Sequence, residues 1–85
     1  MPPSDETAAY AVFREILKDF REDAKLTQAQ LAGRLRVPQS YVSKYETGER
    51  RLDFVETVSV CRELTIPIAA FVKRFESRLR KEAGK

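Results

Sequence analysis

The chain lacks histidine and tryptophan altogether, and it has one cysteine, Cys61, among its 85 residues. Without histidine, neither a Ser-His or Cys-His catalytic pair nor a His-rich metal site can be built. A single cysteine cannot form an intramolecular disulfide. The carboxylates have no glycine-rich phosphate loop or activated nucleophile beside them. These absences predict a protein that is not an enzyme and that has no metal site and no cofactor.

Long apolar runs are also missing, since no stretch approaches the roughly 20 residues that span a bilayer. The acidic N-terminus shows no basic-then-apolar export signal, so we expect a cytoplasmic protein. Hydrophobic residues make up 42% of the chain and charged residues 34%. At 85 residues, the chain is long enough for one compact domain, predicted to span 1–85, and too short for a second core.

Positive charge is concentrated in the middle of the chain. Residues 1–25 carry four basic and six acidic side chains, whereas residues 26–51 carry five basic and two acidic ones. Residues 52–85 carry seven basic and five acidic ones. The middle segment is therefore the candidate surface for an anionic partner, although many solvated helical faces have a similar composition.

The spacing of apolar residues predicts five helices and no strand. The first helix is predicted at roughly 5–23, where apolar residues recur at helical intervals. Thr27 and Gln30 match a capping box that starts the second helix. Pro38 interrupts this helix because its ring removes a backbone donor. A short third helix follows at about 39–46, and Gly48 can end it in a left-handed conformation.

Two further helices complete the predicted all-α domain. Asp53 and Glu56 match a second capping box, which opens a helix expected to bury Val55, Val58, Cys61 and Leu64. On this inward face Cys61 is interpreted as a small buried apolar residue rather than a redox sensor. The last helix is predicted at about 67–82, with Pro67 in its first turn.

The second and third helices, at about 27–46, form a helix-turn-helix pattern. Each is too short to be stable alone, and residues 36–38 supply a turn of the expected length. The two helices can pack through apolar residues on their facing sides: Leu31, Ala32, Leu35, Val37, Val42 and Tyr45. That packing leaves the polar face of the third helix outward, and its short or flexible side chains suit base edges and phosphates.

The segments LTQAQLA at 26–32 and VPQSYVSKYETGERRL at 37–52 resemble the Cro and phage-repressor (XRE) family of helix-turn-helix regulators. The resemblance covers about 13–71. It implies a compact, five-helix, lambda-repressor-like domain that binds double-stranded DNA, with the helix at about 39–46 in the major groove.

The resemblance also implies roles for individual residues. Gln28 would contact a phosphate and brace Gln39, which would read a base, with adenine the usual partner of an amide. Ser40, Ser43 and Lys44 would share base and phosphate contacts. The remaining candidates are Tyr41, Arg50 and Arg51.

Those remaining candidates have alternative interpretations. Arg50 and Arg51 would grip the DNA backbone or, like Lys44, belong to an ordinary solvated surface. Tyr41 would touch DNA or cover the rim of the core. Glu46 is interpreted as a fold residue that pairs with a basic neighbour.

Two positions depart from the family pattern. Arg36 follows the second helix and Thr65 follows the fourth, at places where the family usually has glycine. A left-handed conformation at a non-glycine residue costs about 1–2 kcal/mol, which a packed domain can accommodate.

The last helix carries an apolar stripe that includes Phe71, Phe75 and Leu79. The stripe either completes the core of one chain or packs against a second copy in a two-fold homodimer, and we favour the homodimer. The predicted function is a transcriptional regulator, acting as a repressor on a palindromic operator. The alternatives are an antitoxin and a protein-interaction adaptor with the same fold.

Overall fold

The computed structural model describes residues 3–84, and the side chains of residues 7–84, as five α-helices without a strand. The helices are α1 (Pro3–Asp23), α2 (Gln28–Leu35), α3 (Gln39–Thr47), α4 (Phe54–Glu63) and α5 (Ile68–Ala83). The all-α, five-helix prediction is confirmed, and each boundary that was predicted lies within two residues of the observed one. Within residues 3–84, no helix is both long enough and apolar enough to cross a membrane.

Both predicted capping boxes are present. The Thr27 hydroxyl accepts a hydrogen bond from the Gln30 amide at 3.1 Å, and Gln30 Oε1 accepts one from the Thr27 amide at 2.9 Å. Asp53 and Glu56 repeat the arrangement at 2.7 and 3.0 Å. Each box satisfies two backbone donors that have no partner inside the helix, so α2 and α4 begin at defined residues.

Three helices end on a left-handed residue that is not glycine. Lys25, Arg36 and Thr65 have φ values of 62°, 60° and 63°. In each case the following residue donates its amide back across the helix end, as Val37 does to the Ala32 carbonyl at 3.0 Å and Ile66 to the Cys61 carbonyl at 3.0 Å.

The apolar residue after each left-handed position explains how the strain is tolerated. Leu26, Val37 and Ile66 all pack against the core. This apolar contact accompanies the hydrogen bonds of a Schellman helix end. Together they offset a conformational cost of about 1–2 kcal/mol per residue, and the turns at Arg36 and Thr65 keep the left-handed geometry.

The buried face of α4 differs from the prediction for Val55 and Val58. Val55 is 72% exposed and Val58 is half-buried, so the prediction that they lie in the core is wrong. The helix instead turns Thr57, Val60, Cys61 and Leu64 inward. Apolar residues occupy two overlapping helical stripes on α4, and burial of Thr57 is tolerated because its hydroxyl donates to the Asp53 carbonyl at 2.8 Å. Cys61 and Leu64 are buried as predicted, and burial raises the pKa of the Cys61 thiol to about 11.

The last helix packs on α1 through aromatic rings. Phe71 is only 4% exposed, and its ring meets Phe13 edge-on at 5.6 Å between centroids. Phe75 and Leu79 are half-buried and also pack against the core. Phe71 is therefore enclosed by its own chain, as in the alternative in which the stripe completes the core of one chain.

A buried ion pair joins α1 to α3. Arg21 donates from Nε and Nη2 to the two carboxylate oxygens of Glu46, at 2.8 and 3.0 Å, and the two side chains are only 9% and 3% exposed. Arg21 Nη1 donates to the Leu26 carbonyl at 2.8 Å, and Gln28 donates to Glu46 Oε1 at 2.9 Å. The predicted pairing of Glu46 with a basic residue is confirmed. The hydrogen bond from Arg21 to Glu46 is the main cause of the raised pKa of the guanidinium.

Glu46→Gln should strongly destabilise the domain, because it leaves the buried Arg21 charge without a counter-charge. Losing one partner of a buried pair typically lowers the free energy of unfolding by about 3–5 kcal/mol. Urea denaturation followed by circular dichroism measures this change.

The matched control is the exposed pair Arg78–Asp19, with N···O at 3.3 Å and side chains 32% and 43% exposed. Arg78→Ala should cost at most about 1 kcal/mol. An equal decrease in the free energy of unfolding in both variants would show that burial does not strengthen the Arg21–Glu46 pair.

Candidate nucleic-acid interface

Helices α2 and α3 pack tightly across a three-residue turn at 36–38. Leu31 and Val42 are fully buried, while Ala32 and Tyr45 are each 2% exposed. The small Ala32 side chain lets the two helix axes approach closely. Because this apolar side of α3 faces the core, its opposite side is directed away from the protein.

The outward side of α3 carries the polar residues that the sequence singled out. Gln39, Ser40 and Lys44 are exposed, and Ser43 is half-buried. Pro38 occupies the N-cap position and makes no side-chain capping bond. The helix therefore begins with backbone donors that no side chain caps, next to Gln39 and Ser40. Amide groups at a helix start favour a negatively charged group.

Gln28 is positioned by Glu46. The resemblance implied that Gln28 braces Gln39, but its Nε2 atom donates to Glu46 Oε1 at 2.9 Å. A carboxylate is a stronger acceptor than a neutral amide oxygen, and Arg21 holds this carboxylate in place. A side-chain amide has two N–H donors, so Gln28 keeps one for another partner.

Tyr41 and Arg50 are held against the protein. Tyr41 is half-buried, its ring meets Tyr45 edge-on at 6.0 Å, and burial raises the pKa of its hydroxyl. The Arg50 guanidinium lies 4.4 Å from the centre of the Tyr41 ring and donates to Glu56 at 2.8 Å. This packing agrees with the alternative in which Tyr41 covers the rim of the core.

Arg51 points in a different direction from Arg50. It is exposed, and its guanidinium lies 4.0 Å from the centre of the Tyr10 ring on α1. The resemblance gave Arg50 and Arg51 the same role at the DNA backbone, but they approach different helices. Arg50 approaches α4 and Arg51 approaches α1.

Sequence reasoning overlooked Arg21, which orients both Glu46 and Gln28. Arg21 and Glu46 are 25 residues apart, and no local spacing rule connects them. Arg34 is also engaged, since its Nη1 atom donates to the Glu63 carbonyl at 3.2 Å. Both arginines stabilise the frame that carries Gln39, Ser40 and Lys44.

Comparisons with known proteins agree with this geometry. A family described as a helix-turn-helix domain matches residues 13–65, which is more than half of the chain. A comparison with curated proteins found no match.

Solved structures share the arrangement over most of the chain. An XRE-family-like protein from Pseudomonas syringae pv. tomato DC3000 is 38% identical, with a TM-score of 0.80, over 86% of this chain and 89% of its own. The clp gene regulator ClgR from Corynebacterium glutamicum is 25% identical, with a TM-score of 0.79, over 89% of this chain and 81% of its own.

The fold alone is shared with a mutant of the restriction-modification controller protein C.Esp1396I. It is 17% identical, with a TM-score of 0.79, over 84% of this chain and 95% of its own. The buried helix pair, the exposed polar side of α3, the family match and these similarities lead to one assignment. The chain belongs to the XRE family of helix-turn-helix regulators, a fold that implies DNA binding and transcription regulation.

Proposed function

We propose that the protein is a cytoplasmic, nucleoid-associated repressor that binds a palindromic operator in double-stranded DNA as a homodimer. The observation that carries the proposal is the exposed polar side of α3 on a helix-turn-helix whose opposite side is fully buried. A helix of this kind fits the major groove, with its N-terminal residues toward the base edges.

Base recognition falls to Gln39 and Ser40 in this proposal. Both are exposed in the first turn of α3. An amide can bond an adenine edge through two hydrogen bonds, and a serine hydroxyl can either donate or accept. The Arg21–Glu46 pair supports this role because it restricts how α3 can tilt.

Phosphate contacts fall to Lys44, to the remaining N–H of Gln28 and to Ser43. Lys44 is exposed on α3 and is free to reach along the groove. Arg51 would add a backbone contact from the following loop. Arg50 is the weaker candidate, because Glu56 shares its charge. Tyr41 remains a candidate DNA contact in this proposal, and its ring also packs against the Arg50 guanidinium.

A homodimer requires an interface away from α3, and an apolar groove offers one. The groove has a volume of about 290 Å³ between α1, α4 and α5. Phe54 and Val72 line it and are 69% and 41% exposed, and Val55 next to Phe54 is 72% exposed. Two copies packed through this groove would cover Phe54 and Val72. Phe75 also lines the groove, so part of the predicted stripe remains at the interface.

Gln39→Ala should weaken binding to the cognate site and relax the preference at one base pair. The loss of a bidentate base contact typically costs about 1–3 kcal/mol. Fluorescence anisotropy with an operator selected from a random DNA pool measures this effect. Binding to random DNA should barely change, and equal losses on both DNAs would show that Gln39 does not read sequence. If selection enriches no sequence, the chain is an adaptor rather than a regulator.

Lys44→Ala should weaken binding to every sequence by a similar factor. Each phosphate contact contributes about 0.9 to the slope of log K against log salt concentration, so the slope should fall by about one unit. The matched control is Lys73→Ala on α5, a helix that packs on α1 and α4. The same change in slope for both variants would indicate a general charge effect instead of a contact.

Phe54→Glu combined with Val72→Glu should dissociate the dimer without unfolding the chain. Burying a large apolar side chain contributes about 1.5–3 kcal/mol, and a two-fold interface buries each one twice. Sedimentation should show the mass fall to that of one 9.8 kDa chain, with an unchanged circular dichroism spectrum.

Two further variants test the position of the interface. Lys73→Glu should leave the dimer intact, whereas Phe71→Glu should unfold the domain because Phe71 is 4% exposed. A double variant that remains dimeric would place the interface elsewhere, and a monomeric wild-type protein would contradict the homodimer.

A further inference from the structure

A second cavity, of about 150 Å³, lies between α1 and the loop that follows α3. Its lining includes Arg14 from α1, Tyr45 from α3, and Gly48, Arg50 and Arg51 from the loop. We call it the arginine pocket. All charged residues that line it, within the part of the chain whose side chains are described, are arginines. It adjoins the apolar groove and shares Tyr10 and Phe13 with it, but neither Phe54 nor Val72 lines it.

The Tyr45 hydroxyl is a buried polar group without a partner. Tyr45 is 2% exposed, and its hydroxyl makes no hydrogen bond within the described residues. Burial raises the pKa of this hydroxyl, so it stays protonated and remains a donor. Buried polar groups in proteins nearly always have a partner, which means that a hydroxyl in this position calls for an acceptor.

Arg50 supplies a second donor without a partner. Its Nη2 atom donates a hydrogen bond to Glu56 at 2.8 Å. Its Nη1 atom is buried and has no hydrogen-bond partner within residues 7–84. Two residues that line the same pocket therefore each carry a buried donor without an acceptor within residues 7–84.

Arg14 brings a further positive charge to the same place. Its Cζ atom would lie 3.3 Å from a Cβ atom built on Gly48, so the absence of a side chain at Gly48 leaves room for the guanidinium. Gly48 has φ 91°, and its left-handed conformation directs the loop across α1. No acidic side chain of residues 7–84 forms an ion pair with Arg14.

We propose that the arginine pocket binds a tetrahedral oxyanion, namely a phosphate group, through the Tyr45 hydroxyl, Arg50 Nη1 and the Arg14 guanidinium. Phosphate offers several acceptor oxygens and a negative charge, and arginine fits it better than other side chains. The cavity is too large for a single water, which needs only about 10–15 Å³ of such volume. Bound phosphate would join α1 to the loop that directly follows α3.

The phosphate group can come from free phosphate in solution or from a DNA backbone, since the chemistry is the same. Binding of free phosphate does not depend on the proposed operator function, so the two can fail separately. A ligand that binds only the folded state raises its stability, which provides a readout that needs no DNA.

Titration of the wild-type protein with inorganic phosphate, at constant ionic strength set by sodium chloride, tests the pocket. Calorimetry should give saturable binding, and the melting temperature should rise by a few degrees at saturation. Tyr45→Phe removes only the hydroxyl and should weaken phosphate binding at least fivefold. Arg14→Gln leaves the core unchanged and should weaken it at least tenfold.

The matched control is Lys18→Gln, which removes an exposed charge one turn further along α1 without touching the pocket. It should bind phosphate as the wild type does. The proposal is overturned if wild-type binding does not saturate, if all three variants weaken equally, or if Tyr45→Phe and Arg14→Gln both bind normally. The last result would mean that waters occupy the cavity.

A final measurement identifies the source of the phosphate group. If a DNA phosphate enters the pocket, free phosphate will compete with a random-sequence duplex, and Arg14→Gln will weaken duplex binding. If the ligand is free phosphate, the duplex and phosphate will bind together and Arg14→Gln will leave duplex binding unchanged. Either result supports the pocket, whereas the calorimetric result above decides whether it exists.

Discussion

The position of the exposed helix depends on the buried pair between Arg21 and Glu46. Arg21 meets both carboxylate oxygens of Glu46 and the carbonyl of Leu26, so one guanidinium joins α1, the α1–α2 connection and α3. Gln28, at the start of α2, donates a hydrogen bond to the same carboxylate and so joins α2 to this network. A buried charge is costly without its counter-charge, and the helices therefore cannot shift apart independently. This constraint holds α3 so that its apolar side is covered and its polar side is exposed.

The helix ends supply the second constraint. Lys25, Arg36 and Thr65 adopt left-handed conformations where glycine would be unstrained, and the apolar residue after each one is anchored in the core. The same left-handed helix end therefore occurs three times within residues 3–84. The short helices α2 and α3, each unstable alone, are stabilised by tertiary contacts at the turn that joins them.

Several arginines bind groups of the protein itself. Arg34 and Arg50, which belong to the basic middle segment, donate to a carbonyl and a carboxylate of the chain itself. Fewer cations of this segment are therefore available to an anionic partner than its charge count indicates. The loop at 48–51 lines the arginine pocket, and Arg50 and Arg51 link that loop to α4 and α1.

Local rules were sufficient for the helices, the capping boxes and the turn at 36–38, because each depends on residues within a few positions of one another. The resemblance to the XRE family likewise depended on two short segments, and the family match and the similar solved structures confirmed it. Only the tertiary structure decided which stripe of α4 is buried, since Val55 and Cys61 belong to overlapping apolar patterns of similar strength. It also decided that Phe71 belongs to the core, that Glu46 rather than Gln39 holds Gln28, and that Arg21 orients them. These outcomes depend on contacts between residues far apart in the chain, where burial and charge pairing outweigh any local preference.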